Sequence, residues 1–175
     1  MARIGQKNYS NGCAPPNFFR LPPATIWGTL PMQQPFYSLQ KQNMNKKEYR
    51  RKNEEFLEEI RKEEGIHELP HGILYRITKS GDGTRDVGPR SIVTCYYRGS
   101  LISGKVFDDA WERGYPEAFR VSDLITGFQI ALRAMHAGDR WTLYIPHSEA
   151  YGTRSSGDIP GCSTLIFDLE LISVS

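Results

Sequence analysis

Acidic residues are missing from the N-terminal segment. Residues 1–43 contain no Asp or Glu, and their only bases are Arg3, Lys7, Arg20 and Lys41. Setting those four aside from the 22 bases leaves 18 against 20 acids, so residues 44–175 carry a formal charge of −2. A nucleic-acid binder concentrates positive charge, and no such excess exists here. Cysteine is scarce and odd in number. Cys13, Cys95 and Cys162 lie far apart, which argues against a disulfide framework and for reduced thiols in a cytosolic setting. No apolar run approaches the roughly 18–20 residues of a bilayer-spanning helix, and the N-terminus lacks the apolar core of a secretory signal. The polar NYSNG before Cys13 is not the hydrophobic segment that precedes a lipid-anchored cysteine. These absences favour a cytoplasmic location, with export left open should the start site be misassigned.

What is present divides the chain into three parts. Residues 1–43 hold six of the eleven prolines, and their hydrophobics (Phe18, Phe19, Ile26, Trp27, Phe36, Tyr37) follow neither a helical nor a strand period. An extended or disordered segment is expected, either a targeting or docking arm or a stretch upstream of a true start at Met44. Residues 44–65 are expected to form a charged linker helix. Within NKKEYRRKNEEFLEEIRKEE, Tyr49, Phe56, Leu57 and Ile60 make a narrow apolar stripe, and Gly65 fits the position just past the end. The helix reads as a solvated linker, as a helix lying on its own domain, or as half of a dimer contact.

Residues 66–175 read as strands. HGILYRITKSGDGT alternates Ile73, Tyr75 and Ile77 and runs into Asp82-Gly83, a hairpin-type turn signal. Val93, Cys95 and Tyr97 alternate with Ile92, Thr94, Tyr96 and Arg98. EAFRV offers Phe119 and Val121; DRWTLYIP offers Trp141, Leu143 and Ile145; the last run offers Leu165, Phe167, Leu169 and Leu171. Such alternation means antiparallel strands with one buried face. One helix interrupts them: TGFQIALRAMHAG opens at Thr126 with Gln129 three residues on, a capping-box pattern, and Gly138 ends it. The expected fold is α+β, a curved antiparallel sheet wrapped around one short helix.

The stretch GKVFDDAWERGYPEAF sets Asp108 and Asp109 among aromatics, with Arg113 close behind. Paired acids suit a metal, acid–base catalysis, or a turn. His67 and His71 flank Pro70 and share no helix face, His136 and His147 show no evident partners, and GDGTRD lacks the continuing acidic pattern and closing Glu of a calcium loop. No GxSxG, phosphate-cradling loop or CxxC occurs. Neither metal nor cofactor is expected.

Read together, VTCYYRGSLISGKVFDDAWERGYPEAFRVSDLITGFQIALRAMHAGDRWTLYIPHSEAYG and IPGCSTLIFDLELISV resemble the FKBP-type peptidyl-prolyl cis-trans isomerases over residues 66–175. The YxG, GxxFD, IxG-aromatic, MxxG, IPxxxAYG and IPxxxTLIFDxEL elements fall in family order. The charged helix and GIHELPHGILYRI resemble the macrophage infectivity potentiator subgroup, without the dimerisation domain that subgroup usually carries, so a monomer is favoured over a dimer. The resemblance implies rotamase activity on proline-containing polypeptides and protein-folding assistance, with a macrolide immunophilin ligand as a candidate inhibitor. The alternative is a proline-segment binding or chaperone module with little or no turnover. It places Tyr97, Phe107, Phe119, Leu124, Ile125, Phe128, Tyr151, Ile159 and Phe167 around a pocket. Phe128 is the floor, where the family most often has Trp. The Ile125 N–H and Tyr151 hydroxyl are the implied donors to substrate. Asp108 is the implied rim carboxylate, bonded to Tyr97 and Arg113. Asp109 is expected to be a solvated turn residue, and Cys162 to sit near the rim.

Overall fold

A computed structural model describes residues 45–83 and 87–175. The proline-rich segment 1–43 with Cys13, the candidate start Met44, and the Thr84–Asp86 part of GDGTRD lie outside the described residues.

The first element is helix α1, Lys46–Ile60. Its exposed side is laced by i,i+4 pairs, Arg50–Glu54 and Arg51–Glu55, each at 2.7 Å, which support a helix with little apolar content. Asn45 caps it by accepting from the Lys47 N–H. The helix stops five residues before Gly65. The Lys62 and Glu63 N–H groups bond to Glu59 and Ile60 three residues back, a tightened final turn, and Gly65 takes its positive φ of 77° beyond it.

Seven strands follow among the described residues, all antiparallel: β1 (His67–Leu69), β2 (Ile73–Lys79), β3 (Ile92–Leu101), β4 (Val106–Asp109), β5 (Glu117–Arg120), β6 (Arg140–Ile145) and β7 (Leu165–Val174). Their order is β1-β2-β6-β7-β3-β4, and β5 pairs with the first half of β3. Among the described residues the hairpin expected at Asp82-Gly83 does not form. β2 pairs with β1 and β6, never with β3, and the tight turn lies instead at Pro70–Gly72, where His71 and Gly72 both have positive φ. Asp82-Gly83 leans on the turn after the α-helix of the core: Gly83 donates to Ala137 O, and Gly81 to the buried Asp139 carboxylate at 2.6 Å.

The inner face of the sheet packs on α3 (Thr126–Ala134). Val93, Cys95, Leu143, Ile145, Leu165, Leu169 and Leu171 join Phe128, Ala131 and Leu132 in one core, as the alternation requires. Gly127 permits the contact, since a Cβ there would lie 2.4 Å from Ile145 Cγ2. No capping box forms: Ile125 is the N-cap, without a side-chain bond, and Gln129 Nε2 reaches back to Leu124 O at 2.7 Å. The helix ends at Ala134, four residues short of Gly138, because the extended Met135 turns its own side chain into the core.

One-sided burial fails at β2 and β6. Leu74 and Tyr144 point to the outer face, yet both are buried, because Phe56, Leu57 and Ile60 of α1 pack on them with Ile166. The apolar stripe of α1 therefore lies on its own domain. A further helix, α2 (Ala110–Arg113), occupies four residues between β4 and β5, capped by Asp109 and ended by Gly114 at φ 81°.

Candidate active site

Between the inner face and the N-terminus of α3 lies a cavity of about 290 Å³, lined by Tyr97, Phe107, Asp108, Phe119, Asp123, Leu124, Ile125, Phe128, Tyr151 and Phe167. The central strand makes room for it. At Gly99 a Cβ would stand 2.5 Å from the Phe107 ring and 2.7 Å from the Phe167 ring, so only glycine lets both rings lie against the strand. Phe167 then meets Phe128 edge-on at 4.6 Å between centroids and Phe107 edge-on at 5.6 Å. Tyr97 meets Phe119 in the same manner at 5.8 Å. Edge-to-face packing locks each ring against its neighbours, leaving a cup rather than a collapsed cluster.

One side of the cup is polar. Tyr97 donates to Asp108 Oδ2 at 2.8 Å and accepts from Arg113 Nη2 at 3.0 Å. Arg113 also bonds to Asp108 Oδ1 and to Glu117 Oε1. Burial, reinforced by the Asp108 carboxylate, pushes the Tyr97 phenol above its ordinary range, so it stays a donor at neutral pH. The hydrogen bond to Asp108 likewise raises Arg113 and holds it charged. At the other side, the Ile125 N–H finds no partner among the described residues, as is usual in the first turn of a helix. Tyr151 stands half-exposed at the mouth.

Of the residues inferred from sequence, Tyr97, Phe107, Asp108, Phe119, Leu124, Ile125, Phe128, Tyr151 and Phe167 meet at this cavity, and Arg113 braces its rim without lining it. Ile159 is buried in the core but does not line the cavity. Its backbone closes a small bridge with Ser156, and its side chain packs in the core. Two participants were missed. Glu117 pairs with Arg113 from the first residue of β5, past the end of α2, so helical spacing does not announce it; Asp123 lines the wall and carried no sequence signal.

Asp109 is no solvated turn residue. Adjacent strand residues point to opposite faces, so it turns away from the cup, is buried, caps α2 through the Glu112 N–H at 3.0 Å and pairs with Arg98 at 2.6 Å. Burial raises its pKa, but these hydrogen bonds and the guanidinium outweigh it and hold the carboxyl below the usual range. Cys162 is also buried, with φ 67°. Cys95 sits in the core, where burial pushes its thiol up to about 12, so it is inert as a nucleophile. Among the described residues, His, Cys, Asp and Glu nowhere form a group of three fit to hold a metal, and no helix is long and apolar enough to cross a membrane.

Residues 83–172 match the family model described as FKBP-type peptidyl-prolyl cis-trans isomerase, and residues 29–77 match the domain amino terminal to it. The second match reaches into the segment ahead of α1. The chain is 41% identical over 133 residues to the outer membrane protein MIP of Legionella longbeachae, covering 75% of this chain and 57% of that one. It is 40% identical over 120 residues to the macrophage infectivity potentiator of Trypanosoma cruzi, covering 68% and 61%. The crystal structure of FkpA from Escherichia coli superposes with a TM-score of 0.70 at 34% identity, covering 74% of this chain and 60% of that one. The chain thus spans about three-fifths of the length of these relatives.

Proposed function

This chain belongs to the FKBP-type peptidyl-prolyl cis-trans isomerase family, and from that premise we propose that its aromatic cup catalyses rotation about X–Pro peptide bonds in flexible or unfolded chains. The observation that carries the reading is the cavity itself, a concave apolar volume walled by six aromatic rings, with the Ile125 N–H, unpaired among the described residues, at its edge.

The barrier to rotation is about 18–20 kcal/mol, and unaided exchange takes tens to hundreds of seconds. No covalent bond breaks, so no nucleophile is required. Amide resonance places negative charge on oxygen and positive on nitrogen, and twisting the bond removes that separation. A dry cup disfavours the planar, charge-separated ground state more than the twisted one, which is differential binding with desolvation as its lever. The prolyl ring sits on Phe128 between Phe107, Phe119 and Phe167. The Ile125 N–H and the Tyr151 hydroxyl hold substrate carbonyls. Asp108 does not shuttle protons: with Tyr97 and Arg113 it fixes the rim. Lowering the barrier by about 5–6 kcal/mol gives roughly 10⁴-fold acceleration.

A protease-coupled assay on an X–Pro peptide tests this. Turnover blocked by a macrolide immunophilin ligand is the expected result. Binding of the peptide without turnover would leave a proline-docking module instead.

A further inference from the structure

One buried polar group does not line the cup and takes no part in the chemistry above. Asn53 of α1 is fully buried. Its Oδ1 accepts the Thr164 N–H at 2.7 Å, its Nδ2 donates to Tyr49 O at 2.8 Å, and its own carbonyl accepts from Thr164 Oγ1 at 3.2 Å. One turn earlier, the Tyr49 hydroxyl bonds to Ser163 Oγ at 2.8 Å, and that oxygen donates to Pro160 O at 2.7 Å. An outer-face helix therefore grips the segment 160–164, with the Asn53–Thr164 bonds fully buried and the Tyr49–Ser163 contact partly so.

That segment is the far arm of the loop carrying Tyr151. The Cys162 N–H donates to Gly152 O at 2.8 Å, and the Gly152 N–H donates to His147 O at 2.7 Å, so the residue after Tyr151 is clamped from both sides. The arms are pressed together: a Cβ at Gly161 would lie 2.2 Å from Thr153 O. Cys162 makes its bond from a left-handed conformation, φ 67°, which a residue bearing a Cβ keeps only where its surroundings over-determine it. Those surroundings are the next two residues, Ser163 and Thr164, both held by α1.

We propose that Asn53 is a positioning residue for the cup: by fixing Thr164 it keeps Cys162 left-handed, and through Gly152 it holds Tyr151 at the mouth. The proposal rests on the isomerase reading for its effect on turnover, while its effect on the loop stands apart from that reading. Hydrogen exchange and X–Pro turnover are compared for the full chain and Asn53→Ala. Amides of residues 151–164 exchange at least tenfold faster in N53A, those of Ala131 and Leu132 in α3 are unchanged, and KM rises about threefold or more with a smaller change in kcat. Adding Cys162→Gly, which adopts positive φ without strain, restores the exchange rates and KM toward wild type. Faster exchange spread evenly over the sheet, or an unchanged loop, overturns the proposal, as does a double variant no better than N53A. Should N53A fail to fold, Tyr49→Phe removes only the Ser163 contact: roughly threefold faster exchange in the loop supports the brace, and unchanged exchange refutes it. If the wild type turns over no X–Pro peptide, the isomerase reading falls, and loop exchange alone decides the role of Asn53.

Discussion

The two faces of the sheet solve different problems with similar means. The inner face packs an apolar helix, α3, against alternating Val, Leu and Ile side chains, and stops short of filling one end, where the aromatic cup opens. The outer face carries a charged helix, α1, over only part of its area, with four buried side chains at the contact. The rest is more exposed, with Tyr96 stacked on Trp111 at 5.7 Å and the Arg140 guanidinium over the indole at 4.8 Å. The inner layer provides the cup and most of the burial. The outer layer provides a clamp on one loop.

The widest gap between the faces is expected in stability. Leu132→Ala on α3 removes a side chain with no solvent exposure, costing about 2–5 kcal/mol. Leu57→Ala on α1 starts from a side chain at the margin of burial, 9% exposed, and falls at or below the lower end of that range. Denaturant midpoints measure both. Equal losses would make the outer layer a second core rather than an accessory.

Gly99→Ala sharpens the comparison within the inner face. The added methyl must displace Phe107 or Phe167, an overpacking cost of roughly 1–3 kcal/mol. X–Pro turnover per folded molecule is expected to drop at least tenfold, because both displaced rings wall the cup. Retained turnover would show that ring placement at this end is unimportant.

The smallest effect separates Asp108 from Asp109, neighbours in sequence that serve opposite faces. The folded-state pKa of Asp109 is depressed. Its contribution to stability is therefore present above the unfolded value, ~3.9, and is lost as the pH falls through that value towards the folded one. Asp109→Asn should flatten the stability profile below about pH 4 while leaving turnover near neutral pH unchanged. A profile as steep as wild type would place the acid sensitivity elsewhere.

Strand positions were legible because alternation reports directly on which side chains face α3, and β3 follows it from Ile92 to Leu101. Nine cup residues were legible only as a set, through their order along the chain. What could not be read depends on contacts distant in sequence. Asp82-Gly83 carries a good local turn signal, but β1 and β6 already occupy the two sides of β2 and leave no place for a hairpin partner. Leu74 and Tyr144 looked half-exposed by period and are buried by a helix that precedes them. Cys162, expected near the rim, is buried, and its neighbours Ser163 and Thr164 are held by α1. Gln129 matched a capping box and chose the Leu124 carbonyl instead, which no spacing rule distinguishes.

The most direct measurement is two-dimensional exchange NMR of an X–Pro peptide, recorded from pH 5 to 8 with wild type and with Asp108→Asn. The expected result is exchange accelerated by orders of magnitude, flat across that pH range, and largely retained in the Asn variant. No acceleration, or a rate that titrates with a carboxylate and vanishes with Asp108, would contradict a cup that works by desolvation and shape.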